Sequence, residues 1–265
     1  MCIRDRADGG FNYSTSDLAC IIDRVERLGC DDLLYVVGTP QKQHFEMVFE
    51  VAKRSGFMNE EHRAVHVNFG SVLDSSGQML KSRKGQNVKL VDLLREAVTR
   101  AESSISEKNP DLSGKEREDV ARMIGIGAVK YSDLSSDRTK DYVFDWDRML
   151  SFEGNTAPYL QYAHARICSI FSRSGIERES THDTRIHLAT PEERALAKTL
   201  VTFPEAVDYS TAGLYPHRLC IHLHSIASSF ASFYEVCHVL DEDKEVRSSR
   251  LATVSYTHLT LPTKA

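Results

Sequence analysis

From residue 14 to residue 70 the apolar residues follow a fixed rhythm of helix, strand, helix, strand, and beyond residue 150 the strand pattern does not return. In "STSDLACIIDRVERLG", Leu18, Ile21, Ile22, Val25 and Leu28 fall at offsets 0, 3, 4, 7 and 10, one face of a 3.6-residue period. Thr15 or Ser16 is placed to cap that helix and Gly29 to end it. "DDLLYVVG" is a continuous apolar run of strand length, "QKQHFEMVFEVAKRSG" a second helix closed by Gly56, and "RAVHVNFG" a second strand. Strands that alternate with helices specify a parallel sheet wrapped by helices, because a parallel connection needs a crossover long enough to hold a helix. A doubly wound sheet normally has more strands than these, so the fold class expected is α/β, with the second half of a Rossmann-type parallel sheet.

The rest reads as helix. "VKLVDLLREAVTRAESSISEKN" is amphipathic, and Pro110 and Gly114 break the chain after it. In "KEREDVARMIGIGAVKYSDLS", Gly125 and Gly127 permit close packing or a bend. "NTAPYLQYAHARICSIFSRSG" opens with an Asn/Thr cap and Pro158 in its first turn. "TPEERALAKTLVTFPEAVDYS" has Thr190 as cap, Pro191 first in the helix and a Glu at the capping-box place. "PHRLCIHLHSIASSFASFYEVCHVL" is another long helix. A boundary near residue 150 therefore separates the α/β part from an all-α bundle. The ends, "MCIRDR" and "VSYTHLTLPTKA", fit neither neighbouring pattern, and residues 1–6 and 253–265 are expected to be non-native ends.

Composition excludes several classes. With 265 residues and 41% hydrophobic content, the chain can bury a sizeable core. No apolar run approaches the roughly 20 residues of a membrane span. Six cysteines without a CxxC pair suggest neither a zinc ribbon nor a disulfide framework, and they fit a reducing, cytoplasmic compartment. His222 and His224 are two apart and face different sides of a helix, so no metal pair is expected. A net charge of −5 opposes indiscriminate coating of nucleic acid, so such a partner has to be met by local patches.

One local patch is "SGQMLKSRKGQNVKL", residues 76–90. It lacks the GxxxxGK[ST] pattern of a Walker A loop. Cations flanked by glycine on a turn suit a polyphosphate whose charge shifts during reaction, although a solvated basic turn has the same composition. "MLKSRKG", after the second strand and before a helix, resembles the second signature of class I aminoacyl-tRNA synthetases, often written KMSKS. Two longer stretches, "DGGFNYSTSDLACIIDRVERLGCDDLLYVVGTPQKQHF" and "VKYSDLSSDRTKDYVFDWDRMLSFEGNTAPYLQYAHAR", are similar to arginyl-tRNA synthetases. The resemblance runs from about Asp8 to Ala252.

That resemblance implies the following assignments. Lys81, Ser82, Arg83 and Lys84 form the catalytic signature loop, with Ser82 standing where the second lysine of the signature is usual, so the cation that meets phosphate is open. Tyr13 and Asp17, four apart and so on one helix face, together with Gln41, bind the arginine side chain. A carboxylate accepts a planar guanidinium bidentately and an aromatic face stacks on it. The residues alone also fit a helix-start acid and a half-buried aromatic. His44 follows a strand end, where open sheets bind ligands, and touches either ATP or the aminoacyl end, or is a plain surface histidine. Lys81, Arg83 and Lys84 share the ATP with it. Tyr159, Tyr162 and Arg166 lie within an arc of about 60° on one helix. They can stack unpaired bases and neutralise phosphate, or merely rim a packed core, and the resemblance makes them anticodon contacts on tRNA(Arg). "FEGNTA" before them is a loop able to approach RNA closely. Trp146 reads as packing between domains.

The implied function is an arginine-tRNA ligase: ATP activates arginine, with Mg2+, and the arginyl group passes to the tRNA 3′ end. Positioning and electrostatics carry such a reaction without a nucleophilic side chain. Residues 7–100 would complete the catalytic domain, 101–150 form a helical connector, and 151–252 form the anticodon-binding bundle. The family's HIGH signature does not occur and the last helix reads as cut short, so the chain is expected to be a monomeric C-terminal fragment, inactive alone and free of membrane. Two alternatives differ in what they require. A cysteinyl-type synthetase calls for Cys and His zinc ligands that this sequence lacks. A non-catalytic RNA-binding module calls for tRNA binding indifferent to arginine and ATP.

Overall fold

The structure is a computed structural model that describes residues 10–79 and 89–260. It divides into two compact units, one running to Val72 and taking in Arg138–Tyr142, the other made of Leu73–Asp137 and the chain from Val143 onward. The signature loop with Lys81, Ser82, Arg83 and Lys84 lies outside the described residues, as do residues 1–6.

The first unit contains α1 (Tyr13–Ile22), β1 (Asp32–Gly38), α2 (Lys42–Arg54) and β2 (Arg63–Phe69). The cap of α1 is Asn12, not Thr15 or Ser16: its side-chain oxygen accepts from the Thr15 N–H at 2.9 Å. After Ile22 the chain widens into a π-turn, Asp23–Arg27, with Leu28 N–H donating to the Asp23 carbonyl, and Gly29 follows at φ +62°. β1 and β2 pair in parallel from Asp32 opposite Arg63 to Gly38 opposite Phe69. Leu33 and Tyr35 of β1 pack with Ile21 of α1 and Phe45, Val48 and Ala52 of α2 in one core. The sequence run "DLLYVV" predicts burial on both faces, yet Leu34 and Val36 are 46% and 68% exposed. Both helices contribute to the same cluster, so among the described residues the cover lies on one face of the strand. At the C-terminal end of β2, Gly70 donates its N–H to the Arg138 carbonyl, and a Cβ there would collide with the Lys140 backbone.

The second unit is helical: α3 (Leu90–Lys108), α4 (Gly114–Ser135), α5 (Trp146–Met149), α6 (Ala157–Ser174), α7 (Pro191–Val201), α8 (Phe203–Gly213), α9 (Pro216–Val236) and α10 (Lys244–Thr260). Ser113 caps α4 in a reciprocal box with Glu116, and Thr190 does the same for α7 with Glu193. Gly125 lets α4 approach α3 closely, since a Cβ would stand 2.7 Å from the Ala97 carbonyl. Trp146 packs within this unit, edge-on to Phe144 at 4.7 Å, with Arg100 over its ring. The largest core joins α6, α7, α9 and α10 around Ile167, Leu196, Ile226, Phe230, Phe233, Leu251 and Val254. Residues 253–260, part of the end expected to be non-native, continue α10, with Thr253, Val254, Ser255 and Thr257 buried along its packed side. No helix among the described residues is long and apolar enough to cross a membrane.

Candidate functional site

Two side-chain groups stand out, one in each unit. In the first unit, α1 packs on α2, which places the fifth residue of α1 beside the third of α2. Asp17 Oδ2 and His44 Nε2 are 2.6 Å apart, with both side chains partly exposed. A carboxylate only accepts, so the imidazole N–H donates. The His44 ring stands edge-on to Phe45 at 5.2 Å, and the buried Phe45 also meets Tyr35, Phe49 and His66. Tyr35 in turn takes a 2.6 Å hydrogen bond from Arg24, and its phenol is raised above the ordinary range by burial, with the guanidinium pulling the other way. Tyr13 opens α1 and is 85% exposed; Gln41 ends the short turn Thr39–Gln41 before α2 and is exposed. The expected trio of Tyr13, Asp17 and Gln41 thus lies on the opening turns of two neighbouring helices, and His44 joins it through Asp17.

The C-terminal strand ends beside this group are fixed by polar contacts. Asn68 Nδ2 donates to Thr39 Oγ1 at 3.2 Å, and that hydroxyl donates to the Phe69 carbonyl at 2.9 Å. Arg138 Nη1 donates to the Asn68 carbonyl and side-chain oxygen at 2.8 and 3.2 Å. Open α/β sheets bind ligands outside the carboxyl ends of their strands, the side of this sheet on which these contacts lie. Among the described residues no cluster of three or more His, Cys, Asp or Glu side chains could hold a metal.

In the second unit the α6 row divides. Tyr159 is half-buried against the bundle core, its ring 5.4 Å from His224. Tyr162 is 50% exposed. The Arg166 guanidinium lies between two rings, 4.7 Å from the centroid of Tyr162 and 4.7 Å from that of Tyr234, and it donates to the Tyr162 hydroxyl at 2.7 Å. The result is a half-open surface of two phenols with a cation fixed between them, suited to flat, anionic partners. Spacing on α6 pointed to Tyr162 and Arg166 but missed Tyr234, whose only local signal is its place next to the core residue Phe233 on α9. The loop before α6 is anchored: Tyr131 donates to Asn155 Oδ1 at 2.6 Å and to the Cys220 carbonyl at 3.0 Å, and Gly154 takes φ +79°.

Comparison with known proteins gives concordant matches. A family model described as tRNA synthetases class I (R), catalytic domain, matches residues 2–146, and one described as the DALR anticodon binding domain matches residues 160–264. An arginine–tRNA ligase of Chromobacterium violaceum is 43% identical over 261 residues, which is 98% of this chain and 45% of that protein. The arginine–tRNA ligase of Thermobifida fusca is 48% identical over 97% of this chain and 44% of its own length. Among solved structures, arginyl-tRNA synthetase from Plasmodium falciparum superposes with a TM-score of 0.82 at 29% identity, covering 97% of this chain and 44% of that one. The Thermus thermophilus enzyme gives 0.81 at 26% identity, with 97% and 48% covered. The chain spans less than half the length of the curated relatives it matches.

Proposed function

This chain belongs to the class I arginyl-tRNA synthetase family, and from that membership we propose that, spanning less than half its relatives' length, it carries arginine- and tRNA-contacting parts of a ligase that activates arginine with ATP and transfers the arginyl group to tRNA(Arg), and does not complete that reaction alone. The observation that carries the reading is the Asp17 carboxylate, partly exposed on the α1 face it shares with Tyr13 and next to the start of α2 with Gln41. In this reading Asp17 accepts the substrate guanidinium, the Tyr13 ring flanks it, and the Gln41 amide supplies a neutral hydrogen bond. The substrate carboxylate attacks the α-phosphate of ATP, pyrophosphate leaves, and the arginyl group then passes from AMP to the 3′ end of the tRNA. Lys81, Arg83 and Lys84 would meet the negative charge that develops on the phosphates, with Ser82 as a small neutral donor among them. Magnesium enters with the nucleotide, whose phosphates are its usual ligands, and no step is assigned to a resident metal. Tyr162 and Arg166, with Tyr159 at the rim, would meet the anticodon loop.

The test is a titration of the chain with arginine and with citrulline, its neutral isostere, followed by NMR or calorimetry. Arginine is expected to bind more tightly, and Asp17→Asn to weaken it by about tenfold or more, the worth of a charge-assisted hydrogen bond. Equal affinity for the two amino acids would refute the assignment. Binding of tRNA that ignores arginine and ATP would favour a non-catalytic RNA-binding module.

A further inference from the structure

We propose that His44 is a positioning residue for the arginine pocket: its Nε2–H holds Asp17 Oδ2 so that the remaining carboxylate edge stays aimed at the substrate cation. This rests on the reading of Asp17 as the guanidinium acceptor.

Asp17 is not occupied with helix capping, a role taken by Asn12, whose side-chain oxygen accepts from the Thr15 N–H in the first turn of α1. Its side-chain hydrogen-bond partner among the described residues is His44, at 2.6 Å. The choice of partner matters chemically. Lys or Arg would hold a carboxylate but would add a permanent positive charge beside the place where a cationic substrate must bind. An imidazole donates one N–H without that permanent charge. The ring is itself held, since it stands edge-on to Phe45, which is 6% exposed and fixed by Tyr35, Phe49 and His66. A core aromatic thus orients the imidazole, and the imidazole removes the rotation that would let the carboxylate swing between solvent and substrate. Pre-orienting a binding group in this way raises affinity by reducing the ordering that binding requires. The same bond ties α2, which follows directly from Gln41, to α1, which begins at Tyr13, and so sets the spacing between the expected arginine contacts.

The experiment compares the chain with His44→Phe, His44→Gln and Asp17→Asn, reading affinity for arginine and for citrulline and the melting temperature of each protein. His44→Phe keeps a ring against Phe45 and removes the donor; His44→Gln restores an amide N–H at a similar reach. Arginine affinity is expected to fall about fivefold to tenfold in His44→Phe, the range of one net hydrogen bond, with the arginine-to-citrulline ratio falling alongside. In His44→Gln both are expected to stay within about twofold of the unaltered chain. An unchanged ratio in a folded His44→Phe, or a His44→Gln as impaired as His44→Phe, overturns the proposal. If Asp17→Asn weakens arginine and His44→Phe does not, only the role of His44 fails. If Asp17→Asn has no effect, or the unaltered chain does not bind arginine, the pocket reading fails and the proposal with it.

Discussion

Arg166 illustrates how much a single side chain depends on its planar shape. Its guanidinium is sandwiched between Tyr162 and Tyr234 and also donates to the Tyr162 hydroxyl, so its charge is fixed near the surface. A lysine carries the same charge but neither stacks as a plane between two rings nor keeps the directed N–H. Arg166→Lys is therefore expected to weaken tRNA binding about as much as Arg166→Ala, by about 1 kcal/mol, the worth of one exposed cation–π contact. Filter binding or fluorescence anisotropy at fixed salt checks this, and full recovery in the lysine variant would show that charge alone matters. Asp17 and His44 make the complementary point, since there the partner's lack of a permanent charge is what suits the site.

At the scale of elements, α7 and α10 are joined by one polar group inside an apolar bundle. Glu193 is 2% exposed; one carboxylate oxygen accepts the N–H groups of Ala189 and Thr190, and the other takes Arg250 Nε at 2.8 Å. Arg250 also reaches the His238 carbonyl and Asp241. Burial pushes the Glu193 carboxyl up, but the Arg250 hydrogen bond and the two backbone N–H groups outweigh it and hold the carboxyl below its usual value. A depressed carboxyl stabilises the fold above the unfolded value of about 4.3, and that contribution is lost as pH falls through the folded value. Glu193→Gln is expected to cost about 3 kcal/mol at neutral pH, as for a buried pair that loses one member. The variant should also lose part of its stability change between neutral and acid conditions. Urea unfolding at pH 7 and near pH 4 measures both, and a variant with the same acid sensitivity as the unaltered chain would count against the linkage. The Gly125 contact between α3 and α4 is the apolar counterpart, a helix pair set by the absence of one methyl group.

Across the whole molecule, the two units rest on cores of different size. The bundle core draws on four long helices and buries Phe230, Phe233, Ile167 and Leu251 almost completely. The core of the first unit is built on a two-stranded sheet, and Leu34 and Val36 on β1 stay exposed. Local opening follows the amount of apolar surface that holds a segment. Amide exchange is thus expected to be faster through β1 and β2 than through the centres of α6 and α9. Equal protection in the two units would mean that the β1–β2 layer is held by more than its described core.

The sequence alone determined the helix–strand–helix–strand order of the first unit, the helix starts at Thr156 and Thr190, and the family, because each of these is written in residues a few positions apart, whereas the Ser113 cap and the break between α7 and α8 came from the structure. Capping, helical period and strand runs are short-range, so a local window contains their cause. What only the tertiary structure decided lies between distant residues: that His44 reaches Asp17 and not open solvent, that Tyr234 closes the second side of Arg166, that among the described residues β1 is covered on one face, and that α10 runs on to Thr260. Those outcomes depend on how helices pack against one another. Packing is set by the sum of many weak apolar contacts over the whole chain, which no single stretch of sequence encodes.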